Sequence, residues 1–190
     1  MRKDSLMLSK KILTSRIVVF ALAVLGLGTA SASPQDVITK IETFLARDAV
    51  YPGETFKAAL HLSIGPEWHI NANPVNDDLL IPTTVEFRTD GNFKVLNIIY
   101  PPPLPALFEF SDSEVFVYTG TALIGLLLKA GDRVLPGTYK LKGSLSYQAC
   151  NDSSCLSPES LSVEFEVKVV DYEAATGAVN TEIFSRIRFD

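Results

Sequence analysis

Apolar and polar residues alternate along most of the chain. Phe56, Ala58, Leu60, Leu62 and Ile64 alternate with Thr55, Lys57, Ala59, His61 and Ser63. Tyr139, Leu141, Leu145 and Tyr147 alternate with Lys140, Lys142, Ser144 and Ser146, and Leu161, Val163, Phe165, Val167 and Val169 with Ser162, Glu164, Glu166 and Lys168. Successive side chains of a strand point to opposite faces, so each run predicts a strand with one face on a core and the other towards water. Looser alternation over 37–45, and extended runs at 79–87, 93–100, 114–118 and 121–129, bring the total to about eight strands. Between them stand turn signals such as Pro52-Gly53, Gly65-Pro66, Gly91-Asn92, Gly131-Asp132 and Pro136-Gly137. No stretch sustains a helical apolar period. The pattern predicts an all-β, antiparallel β-sandwich whose core includes Phe56, Leu60, Leu62, Leu141, Leu145, Val163, Phe165 and Val167.

Two segments break the alternation. Pro101-Pro102-Pro103-Leu104-Pro105 cannot lie inside a sheet, because proline lacks the ladder donor. It leads into Ala106-Leu107-Phe108-Glu109-Phe110, which is too apolar for an idle linker and is expected to cover something. Past Val170 the alternation fades, and 171–190 reads as a linker-like tail. Ile183, Phe184 and Ile187 suggest an amphipathic turn within it, but fraying is the expected state.

The N-terminus changes the setting. Arg2, Lys3, Lys10, Lys11 and Arg16 precede an apolar run from Ile17 to Gly28, and Ala30-Ser31-Ala32 follows as a small-residue cleavage site. This is the pattern of a secretory signal peptide over 1–32, with the mature chain starting near Ser33. The segment holds five basic residues and one acid, so its removal takes the net charge from −5 to −9. An acidic domain argues against nucleic acid as a partner. Export to an oxidising compartment makes a disulfide the default state of a cysteine pair.

The chain has two cysteines, Cys150 and Cys155, separated by Asn151-Asp152-Ser153-Ser154. These short polar side chains bond their own backbone and favour a tight reversal, which the flanking alternation places at the end of a hairpin. Chain entropy for a loop of about six residues is worth roughly 2 kcal/mol, less than a bridge between distant strands provides. Two readings stay open on these residues: a structural staple of a turn, or an accessible, exchangeable pair. Other chemistries find little support. Structural zinc requires four ligands, and His61 and His69 lack ligand spacing to the cysteines. His61 reads as a strand-surface residue and His69 as a packed loop residue. No histidine is placed beside a cysteine by the sequence, as a cysteine hydrolase requires. No cofactor motif is present.

Taken together, Glu67-Trp68-His69-Ile70-Asn71, Leu80-Ile81-Pro82-Thr83, Phe110-Ser111-Asp112 leading into 115–120, and Tyr147-Gln148-Ala149-Cys150 to Cys155 with Pro158 resemble the N-terminal (alpha) domain family of the thiol:disulfide interchange protein DsbD. The resemblance covers about Val37 to Val170 and is most specific at the Tyr-Gln-x-Cys turn. It implies an immunoglobulin-like domain over 33–170 in the periplasm, passing electrons through Cys150 and Cys155 to thioredoxin-fold partners, as a component of a protein-disulfide reductase. It also implies that Cys155 forms the mixed disulfide and Cys150 resolves it, and that Phe108, Glu109 and Phe110 form a cap over the pair. Trp68, His69 and Tyr147 are expected to support the site. The gap between the cysteines is shorter than in the best-known member, and Ser157 replaces the first of two prolines that often follow the second cysteine. Family proteins continue into membrane and thioredoxin-like domains, so the electron donor is expected to be a separate membrane or thioredoxin-like reductase. Asp152 and Glu159 would raise a nearby thiol pKa and slow attack until a partner docks. The competing expectation is a non-redox sandwich serving as a binding or scaffold module.

Overall fold

The computed structural model describes residues 37–88, 91–108 and 111–189. The expected signal peptide at 1–32 and the cap residues Glu109 and Phe110 lie outside these. The described elements are strands, apart from one short helix, α1 (Thr181–Phe184). One sheet runs β1-β2-β8-β5, built from β1 (Ile38–Leu45), β2 (Thr55–Ile64), β8 (Thr121–Ala130) and β5 (Phe93–Ile99). A second runs β10-β3-β7-β6, from β10 (Ala149–Cys150), β3 (His69–Asn71), β7 (Val115–Thr119) and β6 (Leu104–Ala106). The third is β11-β9-β4, from β11 (Glu159–Val169), β9 (Gly137–Tyr147) and β4 (Thr84–Phe87). Pairing between named strands is antiparallel throughout. The architecture is an immunoglobulin-like β-sandwich.

Alternation explains the core. Phe56, Leu60, Leu62, Leu141, Leu145, Val163, Phe165 and Val167 are all buried in one apolar cluster to which all three sheets contribute. Phe56 meets Phe93 edge-on at 6.2 Å between ring centroids, and Phe87 packs on Phe165 at 5.4 Å. Burying apolar faces in this way is the main favourable term in folding.

The structure departs from the expectations in several places. Only Thr84–Phe87 of the run 79–87 forms a strand, since Pro82 denies the ladder a donor just before it. Pro105 does enter a sheet, but in β6 at its edge, where a missing N–H costs no ladder bond. His69 lies in β3 rather than in a loop. The cysteines face each other across the reversal between β9 and β11, as expected, but beyond the regular ladder of those strands. That ladder ends at Tyr147↔Glu159, and the chain then crosses to the second sheet, where Ala149↔Ile70 and Cys150↔His69 are opposed. Period-two alternation marks a segment as extended but does not say which neighbour it joins.

The tail is ordered against the sandwich instead of fraying. Tyr51 stacks on Tyr172 and its hydroxyl donates to the Ala174 carbonyl at 2.7 Å. The Val179 N–H donates to the Ala46 carbonyl at 2.9 Å, and the Gly177 N–H to the Asp48 carboxylate at 2.8 Å. Further on, Ile187 and Phe189 lie over Gly125, where a Cβ would stand 2.7 Å from Ile187 Cγ2 and 3.1 Å from the Phe189 ring. Ala59, opposite Gly125 in register, is buried although its alternation points it outwards. Two small residues side by side thus make the hollow that receives the tail.

Candidate functional site

Asn151 builds the turn. Its side-chain oxygen accepts the backbone N–H groups of Ser153 at 3.0 Å and Ser154 at 2.9 Å, while its own N–H donates to the Ser154 carbonyl at 2.9 Å. An Asx turn of this kind satisfies backbone donors that a bare reversal would leave to water. It brings Cys150 and Cys155 into antiparallel register with Cα atoms 4.0 Å apart, and the sulfurs are bonded at 2.01 Å. The two cysteines differ in access. Cys150 is fully buried, whereas Cys155 is exposed.

Gln148 ties the turn to its surroundings. Its amide nitrogen donates to the Leu156 carbonyl at 3.2 Å, beyond the disulfide, and its oxygen accepts from the Asn71 side chain at 3.2 Å and the Ile81 N–H at 3.4 Å. Asn71 is itself fully buried and also donates to the Ile81 carbonyl at 3.0 Å. The same side chain therefore clamps both arms of the disulfide loop to β3 and to the 79–83 segment. The Gln of Tyr-Gln-x-Cys and Asn71 were legible as motif residues, but no role for them follows from their types alone.

Opposed residues of paired strands project to the same face. Cys150 is opposed to His69 on β3, and His69 to Thr119 on β7, which puts these three in a row on one face. The adjacent row, Ala149, Ile70 and Tyr118, points the other way and belongs to the core. Thr119 is exposed, but the other two residues of this outer row are covered: Cys150 and His69 are buried, and the Phe108 ring stacks on the imidazole at 3.9 Å between centroids with planes 12° apart. Burial disfavours the imidazolium and lowers the His69 pKa to about 4, opposed by the negative charge of Asp152. A cleft of about 520 Å³ opens here, lined by Trp68, His69, Phe108, Thr119 and the turn residues 151–153. Tyr147 is buried where β9 ends, and burial together with the Glu159 charge raises its hydroxyl pKa.

Of the expected site residues, the structure thus brings Cys150, Cys155, Trp68, His69 and Phe108 to one end of the second sheet, with Tyr147 buried one residue before its crossing into that sheet. Sequence reasoning did not place a histidine beside a cysteine. The His69–Cys150 pairing arises only from the crossing of residues 148–150 into the second sheet.

Comparisons with known proteins give the family. The chain matches, over residues 41–167, the family described as "Thiol:disulfide interchange protein DsbD, N-terminal". No curated protein matches it in sequence. Among solved structures it is similar to the Neisseria meningitidis DsbD N-terminal domain in the reduced form, at 14% identity and a TM-score of 0.43, covering 78% of this chain and 94% of that one. It is also similar to the N-terminal periplasmic domain of ScsB from Proteus mirabilis, at 12% identity and a TM-score of 0.45, covering 67% of this chain and 45% of that one. With the family match extending over most of the chain and including both cysteines, this protein belongs to the DsbD N-terminal domain family.

Proposed function

We propose that this protein is a periplasmic thiol–disulfide interchange module, carrying electrons on Cys150 and Cys155 to thioredoxin-fold partners after re-reduction by a separate thiol protein. The observation that carries the reading is the disulfide's asymmetry: one sulfur belongs to an exposed residue and the other to a fully buried one. Exchange proceeds by in-line attack of a thiolate on a disulfide sulfur, so access decides which cysteine meets a partner. In the reduced module the Cys155 thiolate attacks a partner disulfide. A Cys155–partner bond forms, and the second partner sulfur leaves with the electron pair and takes up a proton. Cys150 then attacks the Cys155 sulfur, restoring the internal disulfide and releasing the partner's remaining sulfur as a thiol. Two electrons pass to the partner. Phe108, seated on His69 beside the turn, acts as the cap over this end of the sheet.

A bridge across so short a loop adds little to folding, and its removal leaves the apolar core intact. Its reduction potential, measured by equilibration with glutathione or thioredoxin buffers, is expected above roughly −300 mV, the level below which structural disulfides resist physiological reduction. A potential well below that level would favour a structural staple in a scaffold module.

A further inference from the structure

Breaking the disulfide by attack on Cys155 leaves the electron pair on the Cys150 sulfur. That residue is fully buried, and an uncompensated thiolate there is opposed by desolvation. The forward resolving step meets the same difficulty in reverse, because the buried Cys150 thiol must lose its proton before it attacks. The acids that line the cleft among the described residues, Asp152 in the turn and Glu67 ahead of β3, would make a thiolate worse, and Thr119 on β7 carries no charge. Among the described residues lining the cleft there is no lysine or arginine. There is His69, directly across from Cys150 in register and on the same face, where opposed Cβ atoms stand about 4.5–5.5 Å apart.

We infer that His69 is the proton partner of Cys150. The inference rests on the exchange reading above and deepens it. When Cys155 is attacked, an imidazole N–H donates to the Cys150 sulfur as negative charge develops there. In the resolving step the Cys150 S–H proton passes to the imidazole, the Cys150 sulfur bonds to the Cys155 sulfur, and the bond between Cys155 and the partner breaks. The partner sulfur leaves with the electron pair, the imidazolium releases its proton to solvent, and the partner thiolate takes one up. Two features fit this role. The ring is held neutral in the oxidised chain, so it offers one nitrogen as donor and the other as acceptor. The Phe108 stack fixes the plane of the ring while the cap is down.

The coupling is reciprocal, and it is measured inside one chain. The His69 imidazole is titrated by NMR in the oxidised and in the reduced protein; reduction is expected to move its titration to higher pH, because the Cys150 sulfur freed from the disulfide accepts a hydrogen bond that favours the imidazolium. In a Cys155→Ser chain, where Cys150 is a thiol, ultraviolet thiolate absorbance follows its ionisation with His69 intact and with His69→Phe, which keeps a ring against Phe108 but removes the proton site. The substitution is expected to raise the Cys150 titration by about one unit. Identical His69 titrations in the two redox states would overturn the inference, as would identical Cys150 titrations in the two backgrounds. Should His69→Phe fail to fold, the redox-state comparison on the unaltered chain decides alone. Neither readout involves a partner, so this result is separate from the outcome of partner capture.

Discussion

Gln148 holds the exchange turn through three hydrogen bonds, to Leu156 beyond the disulfide, to Asn71 in β3 and to Ile81 in the preceding segment. Removing it would strand the buried Asn71 amide without one of its acceptors, and a buried polar group left unpaired costs about 1–3 kcal/mol. Gln148→Ala is therefore expected to destabilise the oxidised domain by about that amount in denaturant unfolding. A change within experimental error would mean that water replaces the side chain fully. The residues of this network were visible in the sequence only as members of three separate strings, 67–71, 80–83 and Tyr147-Gln148-Ala149-Cys150. Their roles depend on contacts to residues 71 and 81, far away along the chain, which no local pattern encodes. The cysteines and the Asn-Asp-Ser-Ser turn were legible because their chemistry is local: short polar side chains bonding their own backbone.

Among the elements, the strands were the most legible and their partners the least. Alternation located β2, β9 and β11 closely, since each buries one full face, and β8 was legible as an extended run. β3, β6 and β10 are only two or three residues long, too short to display a period, and β3 and β10 are the strands that carry His69 and Cys150. The segment after β6 bears on exchange under the proposed function. Phe108 covers His69 on the face that carries Cys150, so Phe108→Ala is expected to speed reduction of the disulfide by a small thiol reagent several-fold, read by stopped-flow or quenched sampling. An unchanged rate would show that this ring does not limit access. The tail is a second case. Its alternation is lost because it lies flat on the outer face of a sheet, held by Tyr51, Ala46, Asp48 and the hollow at Gly125. Gly125→Val fills that hollow and is expected to release the segment around Ile187 and Phe189, exposing it to hydrogen exchange and proteolysis and costing about 1–3 kcal/mol. Retained protection would place the anchoring of the tail in the Tyr51 and Asp48 contacts alone.

At the scale of the whole molecule, a sandwich core supplies the stability and one sheet end supplies the chemistry. The core residues read from alternation are buried as expected, and the disulfide stands outside that apolar cluster. A bond that contributes little to the fold can cycle between oxidised and reduced states without unfolding the domain. Under the proposed function, this difference in exposure between the two cysteines would give the cycle its direction, with the exposed sulfur meeting the partner and the buried one closing the reaction. Capture of a mixed disulfide tests this most directly. Cys150→Ser and Cys155→Ser chains, exported in cells and quenched with acid, are compared for covalent adducts to thioredoxin-fold proteins. Cys150→Ser is expected to accumulate such an adduct, because Cys155 still attacks and nothing resolves the product, while Cys155→Ser is expected to trap much less. Equal trapping by both variants, or none by either, would contradict the account.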